Sequence, residues 1–444
     1  MMRAVRRPVL SVAVLLACLV AVLPAAAAAA SKPLHLGNGF VVEALAPGPG
    51  RTLWYAGTDA AADPPHVFVG HFSSTGAHKT WEYKTPAGPS GVGDLVRGPD
   101  GQMWLTVPGA DEVAHIEADG KWNGLTGEAG SRPTGLATAG SKVWATLEGT
   151  GRLASFDTAV TPAAIEEYIL PPGIAPTGIA FGPRNSLWSI GADSGLLVRM
   201  TLAGTAGYVP LETGNKEFVG TVNVGIAVAH DGSLWFAQGD RAAVGRLALS
   251  TRPGDENASY LRFSLPGGGP TTLISQGPTD DMWFADRSGR IGSVTAKGVV
   301  GELACATRCG TAVTALARGA DGNLWFAAGN EVAPFEPRPL TLGFKRVSRQ
   351  IDRKGNLMMQ IGCRGGAAGQ ECTGRVEIRQ GPRILERTPY DGVTGGIDEI
   401  GVPLNTSIVG LLRANRGLHA RLVLVTGGKV TATRALDIDV TRPS

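Results

Sequence analysis

This chain of 444 residues is poor in the residues that mark several common classes of protein. It has only 7 histidines, and it contains neither a Ser-His-Asp order nor a Gly-x-Ser-x-Gly elbow, so a hydrolase of those types is not supported. Its Lys and Arg are interspersed with Asp and Glu at a net charge of +3, and without a basic run a nucleic acid is a poor candidate for a partner. The glycine run at 267–270 is followed by no Lys-Ser or Lys-Thr pair, which excludes a phosphate-binding loop.

The first thirty residues have the three parts of an export signal. Arginines at the start precede an apolar stretch at 8–23, and small residues at 25–30 offer a cleavage site. The apolar stretch is short for a membrane span of ~20 residues, although a retained anchor and a lipid on Cys18 remain alternatives. We therefore expect residues 1–30 to be a signal peptide and the mature protein to be secreted or held at the cell envelope.

Four cysteines remain after such a signal is removed, and they form two close pairs in the sequence. The pairs are Cys305 with Cys309 and Cys363 with Cys372. In an exported protein two disulfides within these pairs are the simplest of three possible pairings. A zinc site is the alternative, but about 54 residues separate the pairs and no His lies near either.

One short phrase recurs seven times: a turn rich in Gly, Pro and Asp, then an apolar residue, then Trp. The repeats are 40–50 residues apart, and this period with one Trp per unit indicates four-stranded β-blades. A large ring at the same position in each blade predicts a core residue packed between neighbouring sheets. The chain is therefore predicted to be all-β, with a seven-bladed β-propeller at 31–338. The seven residues are Trp54, Trp104, Trp144, Trp188, Trp235, Trp283 and Trp325.

Residues 339–444 lack the Trp phrase and are predicted to form a separate domain. Three prolines within 334–339 cannot continue a strand ladder, which indicates a boundary. Alternating apolar and polar residues favour a small β-sandwich after it. Its strands are predicted at 357–361, 375–378, 407–412 and 421–425.

A propeller ring must close between its first and last blades. Residues 39–45 resemble the last strand of a unit, such as 79–83, whereas the seventh unit continues only to Phe335 after its Trp. We therefore predict that residues 39–45 supply the outer strand of the seventh blade, because this closure removes an exposed sheet edge.

The repeat closely resembles that of the streptogramin lyase family, also called virginiamycin B lyase. The pattern Gly-Pro-Asp-Gly, an apolar residue and Trp is nearly complete at 98–104, and 321–326 repeats it. Residues 244–247 match the strand that follows. The resemblance covers about 300 residues. It implies an enzyme that opens a cyclic depsipeptide antibiotic by elimination across an ester, without water and with a divalent metal such as magnesium.

The resemblance also implies a His as the catalytic base, in a Pro-His-Gly start of an inner strand. The matching starts in this chain carry Thr134, Thr177, Val224 and Thr271 instead. The expected base is therefore missing, and no residue is assigned as catalytic.

The metal-binding Glu of the family follows a Trp-Phe, and three polar residues of this chain follow the Trp strands. They are Glu148, Gln238 and Asp286, which should lie on one face of the ring. We predict Glu148 and Asp286 as the metal ligands. The candidate ligand-binding residues are Gln238, Thr134, Thr177 and Thr271.

Two functions are consistent with these observations. The first is a lyase acting on a cyclic ester or peptide, with a metal-dependent lactonase as a weaker variant. The second is a non-catalytic propeller that binds a small molecule, a cyclic peptide or an envelope component, with the sandwich as an attachment or spacing module. The missing histidines favour the second function. We expect a monomer.

Overall fold

The structure is a computed structural model. The predicted signal peptide and Cys309 lie outside the part of the chain that it describes. Within that part, no helix is long and apolar enough to cross a membrane. The described residues are 32–73, 76–86, 91–160, 164–191, 197–209, 223–249, 258–265, 268–278, 280–301, 304–306, 311–336, 341–352, 354–365, 371–393, 397–415, 417–426 and 429–439.

Short β-branched and aromatic runs between glycine-rich turns form most of the described strands. Strand β1 is Leu34–His35, and blade 1 contains β2 (Phe40–Pro47), β3 (Thr52–Asp59), β4 (His66–Ser73) and β5 (His78–Pro86). Blade 2 contains β6 (Leu95–Arg97), β7 (Met103–Val107), β8 (Glu112–Ile116) and β9 (Trp122–Thr126). Blade 3 contains β10 (Pro133–Ala139), β11 (Lys142–Leu147), β12 (Arg152–Asp157) and β13 (Ala164–Ile169). Blade 4 contains β14 (Pro176–Gly182), β15 (Ser186–Gly191), β16 (Leu197–Thr201) and β17 (Ala206–Tyr208).

The remaining blades follow the same order from the inner to the outer strand. Blade 5 contains β18 (Asn223–Val228), β19 (Leu234–Gln238), β20 (Ala243–Leu249) and β21 (Ala258–Ser264). Blade 6 contains β22 (Thr271–Gln276), β23 (Met282–Asp286), β24 (Arg290–Val294) and β25 (Ala304–Cys305). Blade 7 contains β26 (Ala315–Arg318), β27 (Leu324–Ala328) and β28 (Glu331–Pro334), to which β1 is added. Single turns of 3-10 helix occur at Pro49–Arg51, Pro108–Ala110 and Pro183–Asn185.

The innermost strands of the blades form a closed ring. Each contacts the innermost strand of the next blade, in the order β2, β6, β10, β14, β18, β22 and β26, and β26 contacts β2. The described residues therefore form seven four-stranded antiparallel sheets around one channel, and the predicted propeller is confirmed.

The ring closes through a different segment from the predicted one. Leu34 of β1 pairs with Val332 of β28, so residues 34–35 form the outer strand of blade 7. The prediction that 39–45 supplies this strand was wrong, because most of that segment lies in β2, the innermost strand of blade 1. Its side chains are buried at Val42, Ala44 and Leu45 and half-buried elsewhere, which is typical of a strand packed between neighbouring blades.

The repeated tryptophans are core residues, as predicted, since none is more than 3% exposed. Four of them, Trp54, Trp104, Trp283 and Trp325, pack over a glycine of the turn before them. A Cβ on Gly277 would lie 1.8 Å from Cδ1 of Trp283, and a Cβ on Gly48 would lie 2.0 Å from Cδ1 of Trp54. The glycine of the phrase is therefore required by the indole ring that lies over it.

The C-terminal residues form two further sheets that pack as a sandwich around one apolar core. The first sheet has the order β29-β30-β33, and the second has the order β32-β31-β34-β35. The elements are β29 (Thr341–Ile351), β30 (Asn356–Arg364), β31 (Glu371–Gln380), β32 (Arg383–Val393), β33 (Ile397–Pro403), α1 (Thr406–Asn415), β34 (Gly417–Thr426) and β35 (Lys429–Asp439).

One predicted strand of this module is a helix. Residues 407–412 lie in α1, and the strand prediction for them was wrong. Oδ1 of Asn405 accepts the backbone N–H of Ile408 at 3.0 Å, so Asn405 caps the helix. The side chain of Ile408 is completely buried in the sandwich core. The cap and this single buried anchor outweigh the β-branched pattern of the segment.

The disulfide between Cys363 and Cys372 is present, as predicted. It joins the end of β30 to the start of β31 and therefore links the two sheets of the sandwich. Cys305 in blade 6 is also disulfide-bonded.

Candidate functional site

The inner strands of five blades contain a β-bulge near their first residue. The paired register shifts at this point in β2, β10, β14, β18 and β22. Bulges interrupt strand pairing and are common next to binding sites. Because the inner strands surround the channel, these residues form a ring around it, which we call the bulge ring. Its members are Glu43, Thr134, Thr177, Val224 and Thr272.

Two of the predicted threonines belong to the bulge ring. The Thr134 hydroxyl lies 2.8 Å from that of Thr146 and donates to the carbonyl of Thr177 at 3.2 Å. The Thr177 hydroxyl donates to the carbonyl of Ile190 at 3.4 Å. Both side chains are half-buried. The Thr134 hydroxyl thus satisfies a backbone carbonyl at the contact between blades 3 and 4, and the Thr177 hydroxyl satisfies one within blade 4.

The third threonine, Thr271, lies one residue before the bulge. It is fully buried, and its hydroxyl donates to the carbonyl of Ala243 at 2.7 Å and accepts the backbone N–H of Gln238 at 2.6 Å. Thr272, which donates to the carbonyl of Ala285 at 3.4 Å, is the equivalent of Thr177. The residue of blade 6 at the bulge is therefore Thr272 and not the predicted Thr271. The Pro-Thr-Thr start has two threonines in succession, and the prediction chose the first.

Gln238 is buried with Thr271 where blades 5 and 6 meet. Only 1% of its surface is exposed, and its Nε2 donates to the Tyr260 hydroxyl at 2.8 Å. Neither Gln238 nor Thr271 presents its side chain to the channel surface. Their contacts join the two blades.

The two predicted metal ligands lie in different blades, and each is paired with an arginine. Oε2 of Glu148, between β11 and β12, is 3.3 Å from Nη2 of Arg132. Oδ2 of Asp286, at the end of β23, is 2.9 Å from Nη2 of Arg290, and the Asp286 side chain is completely buried.

The hydrogen bonds of Asp286 show that its carboxylate is already saturated. It accepts N–H groups from Gly269 at 3.0 Å and from Ser288 at 2.9 Å, and the Ser288 hydroxyl at 2.6 Å. Burial would raise the pKa of Asp286, but these bonds and Arg290 hold it below its usual range. In the part of the chain that the structure describes, no three His, Cys, Asp or Glu side chains come together as metal ligands. Glu148 and Asp286 therefore do not fit a shared magnesium ion.

Two carboxylates that the sequence did not single out lie at the starts of the first two inner strands. Oε2 of Glu43, in the bulge ring, accepts the backbone N–H of Val92 at 2.8 Å. Oδ2 of Asp94 accepts the backbone N–H of Leu136 at 2.8 Å, and Oδ1 accepts that of Leu95 at 2.8 Å. The two side chains thus join blade 1 to blade 2 and blade 2 to blade 3.

Both carboxylates have raised pKa values. Burial raises the pKa of Glu43 although it accepts hydrogen bonds from Val92 and from Thr58. Burial also raises the pKa of Asp94, to about 6, although two backbone N–H groups stabilise its anion. Asp94 keeps some accessible surface even though protein atoms surround it closely, as expected in a narrow channel. Chemically, the pair offers hydrogen-bond acceptors and one carboxylate that titrates near neutral pH.

The position of Glu43 has a simple signal in the sequence. Thr177, Val224 and Thr272 each lie eleven residues before the Trp of their blade, and Glu43 lies eleven residues before Trp54. The Pro-x-Gly frame is absent from blade 1, and the closure prediction had assigned that segment to the outer edge. Counting back from each Trp would have identified Glu43.

Among known proteins, the family model that describes the virginiamycin B lyase family matches residues 38–254. The curated virginiamycin B lyase of Nocardia farcinica (strain IFM 10152) is 34% identical over 103 residues, which are 23% of this chain and 32% of the relative. The match thus spans about a third of the length of that relative.

Solved structures with this fold include a catalytically inactive virginiamycin B lyase from Staphylococcus aureus with quinupristin, in which a His is replaced by Ala. It has a TM-score of 0.57 at 21% identity and covers 68% of this chain and 97% of its own. The extracellular domain of BT4673 from B. thetaiotaomicron has a TM-score of 0.52 at 11% identity, covering 94% of this chain and 60% of its own. At these identities the likeness concerns the fold.

Proposed function

We propose that this chain, whose residues 38–254 match the virginiamycin B lyase family, is an exported ligand-binding propeller that has lost the catalytic base of the lyases. The bulge ring carries this proposal, because its members are Glu, Thr and Val and none is His. Replacing one His by Ala gave the S. aureus protein described as catalytically inactive. A Thr hydroxyl cannot take the place of a His as general base near neutral pH.

The ligand site that we propose is the mouth of the channel at the bulge ring. Thr134, Thr177 and Thr272 supply small side chains there, while Glu43 and Asp94 supply hydrogen-bond acceptors on one side. A cyclic peptide or small molecule with N–H donors on one edge and an apolar remainder matches this distribution.

An extracytoplasmic location is part of the proposal. The N-terminal segment has the pattern of an export signal, and the disulfide of Cys363 with Cys372 persists in oxidising compartments. The related fold of BT4673 belongs to an extracellular domain. An extracytoplasmic location is consistent with a protein that binds a ligand without changing it chemically.

Titration of the full chain with quinupristin tests the proposal. We expect saturable binding by calorimetry, with the cyclic ester intact after prolonged incubation. Because elimination adds no water, a ring-opened product has the same mass, so chromatography or proton NMR must distinguish the two forms. Glu43→Gln should weaken binding severalfold, whereas Glu82→Gln on β5 of the same blade is the matched control. Ring opening by the wild-type chain would overturn the proposal.

A second function, ester elimination by a different base, is favoured by one observation. The pKa of Asp94 is raised to about 6, so its carboxylate has the basicity that general-base catalysis requires near neutral pH. Such activity would rise with pH through about 6 as Asp94 ionises, and Asp94→Asn would abolish it. Activity that survives this substitution would exclude Asp94 as the base.

A further inference from the structure

The two parts of the chain carry opposite net charge. Residues 31–340 contain 22 Lys and Arg against 29 Asp and Glu, a net charge of −7. Residues 341–439 contain 15 Lys and Arg against 9 Asp and Glu, a net charge of +6. The overall net charge of +3 conceals this difference. The positive charge of the C-terminal module therefore has to be located on its surface.

Four arginines of the module share the outer face of one sheet. In β31, Val376 and Ile378 are completely buried in the sandwich core, so the alternate residues face outward. The partner of residue 377 on β32 is Arg387, and the partner of residue 379 on β34 is Arg421. We call this surface the arginine face. Its members are Arg375, Arg379, Arg387 and Arg421, with Glu377 among them.

Glu377 holds three of these arginines in place. Its Oε1 accepts Nε of Arg375 at 2.7 Å and lies 3.5 Å from Nε of Arg387, and its Oε2 accepts Nε of Arg379 at 2.7 Å. Burial alone would raise the pKa of Glu377, but the bonds from Arg375 and Arg379 hold it below its usual range. The carboxylate therefore remains ionised and fixes the positions of the guanidinium groups.

One carboxylate cannot satisfy this many donors. The Glu377 side chain is 0% exposed, yet those of Arg375, Arg379 and Arg387 keep 43%, 32% and 62% of their surface. Three guanidinium groups carry about fifteen N–H donors, whereas a carboxylate accepts about four hydrogen bonds. Most of the donors consequently face solvent in a fixed arrangement.

Arg421 adds a charge with no acidic partner among the described residues. It is exposed and lies directly opposite Arg379 across the β31–β34 pair. Like charges directly opposite each other in a sheet are destabilising. Their presence in an exposed row indicates a role other than stability.

We propose that the arginine face binds a linear polyanion without bases, whose charged groups are phosphodiesters linking polyol units. The arginines lie on three adjacent strands, which are ~4.8 Å apart. Arg375 and Arg379 are separated by roughly 13 Å along one strand. This array matches several successive phosphates, each of which an Arg fork contacts through two N–H groups.

The composition of the face distinguishes this ligand from a nucleic acid. The positions of β34 that follow Arg421 on the same side of the sheet are the buried Val423 and Val425, so this strand offers no aromatic ring on which bases stack. The negative net charge of the propeller repels a polyanion, which confines binding to the module. This inference does not depend on the ligand of the propeller.

The test uses the full chain and fluorescently labelled poly(glycerol phosphate). We expect binding that weakens with rising salt, as counterions compete for the phosphates. The variant Arg387→Gln with Arg421→Gln keeps both close partners of Glu377, and it should bind about tenfold more weakly with a shallower salt dependence. The matched control is Lys354→Gln with Arg364→Gln, which removes the same charge from the other sheet and should bind within about twofold of the wild type.

Three outcomes would overturn the proposal. The first is equal loss in both double variants, which would mean attraction to net charge without a defined surface. The second is binding of labelled single-stranded DNA as tightly as the probe, with the same effect of Arg387→Gln and Arg421→Gln, since the partner would then be a nucleic acid. The third is a wild-type dimer by sedimentation that this variant converts to monomer, because the face would then be covered by a second copy. Circular dichroism verifies that both variants fold.

Discussion

The propeller and the C-terminal module use β-structure in contrasting ways. The inner strands of the propeller surround the channel, and the polar residues near their starts, such as Glu43 and Thr177, lie where bulges interrupt the pairing. In the module, the outer face of the β31 sheet carries alternate polar residues from Arg375 to Arg379, with the buried Glu377 between two arginines that keep exposed surface. A sheet that packs against the core with one face can carry a row of charged side chains on the other. A blade packs between two neighbouring blades, so its polar side chains reach solvent mainly at the strand ends.

The difference also extends to what each part can bind. The bulge ring and the neighbouring Asp94 offer small side chains and two carboxylates with raised pKa around a narrow channel. The arginine face offers an open, fixed set of donors. If this comparison is right, damage to one part should leave the stability and binding of the other unchanged.

The largest expected effect is that of removing a tryptophan from the propeller. Trp188→Ala should destabilise the propeller by about 3–5 kcal/mol, since the side chain is completely buried between blades. Scanning calorimetry should show the propeller transition lowered and that of the module unmoved. Trp122→Ala, at a half-buried position on β9, is the milder control. An equal shift of both transitions would mean that the two parts unfold as one.

The disulfide of the module provides the reciprocal experiment. Replacing Cys363 and Cys372 by Ala should cost the module about 2–3 kcal/mol, because the loop between them gains freedom in the unfolded state. The propeller transition should stay in place. A lowered propeller transition would contradict the independence of the two parts.

Ring closure by β1 predicts a smaller loss that is confined to the propeller. Deleting residues 32–36 removes the buried Leu34 and the backbone bond from Leu36 to Asn330. We expect a loss of about 2 kcal/mol, measured by urea denaturation. Deleting only the exposed residues 32–33 is the control and should change nothing. Unchanged stability of the longer deletion would refute closure by this strand.

The smallest expected effect depends on pH. The pKa of Asp94 is about 6 in the folded chain against 3.8 in the reference state, so the folded state binds its proton more tightly. The stability contributed by this group is therefore present at low pH and is lost as pH rises through about 6, by roughly 2 kcal/mol. Asp94→Asn should remove this loss, so that the variant gains on the wild type between pH 4 and pH 7. Parallel pH profiles of unfolding, with Asp119→Asn as the surface control, would contradict the shift.

The parts of the fold that were predictable are those in which one residue type has one physical role. The Trp phrase located every blade, because a buried indole after a tight turn leaves a fixed signature in each repeat. Ring closure was misplaced, because the two residues of β1 are too few to show a pattern. The helix at 406–415 was misread because Ile408 and Val409 are β-branched and its cap lies outside the run.

The site was harder to predict than the fold. Thr134 and Thr177 were identified from the Pro-Thr-Gly frame, and the structure places both in the bulge ring. Glu43 and Asp94 lack that frame, and only the register relative to Trp relates them to other blades: Glu43 lies eleven residues before its Trp, like Thr177, and Asp94 lies ten before its Trp, like Thr134. Carboxylates such as Asp286 look like metal ligands in the sequence until the partners that saturate them are known.

The central claim is that the propeller binds its ligand without opening it. The most direct measurement is an NMR time course of the cyclic depsipeptide with a stoichiometric amount of the full chain, alongside calorimetry of the same mixture. Our account predicts saturable binding and an unchanged set of ligand resonances after release from the protein. Accumulation of the vinylic resonances of a ring-opened product, abolished by Asp94→Asn, would contradict it and identify a working lyase.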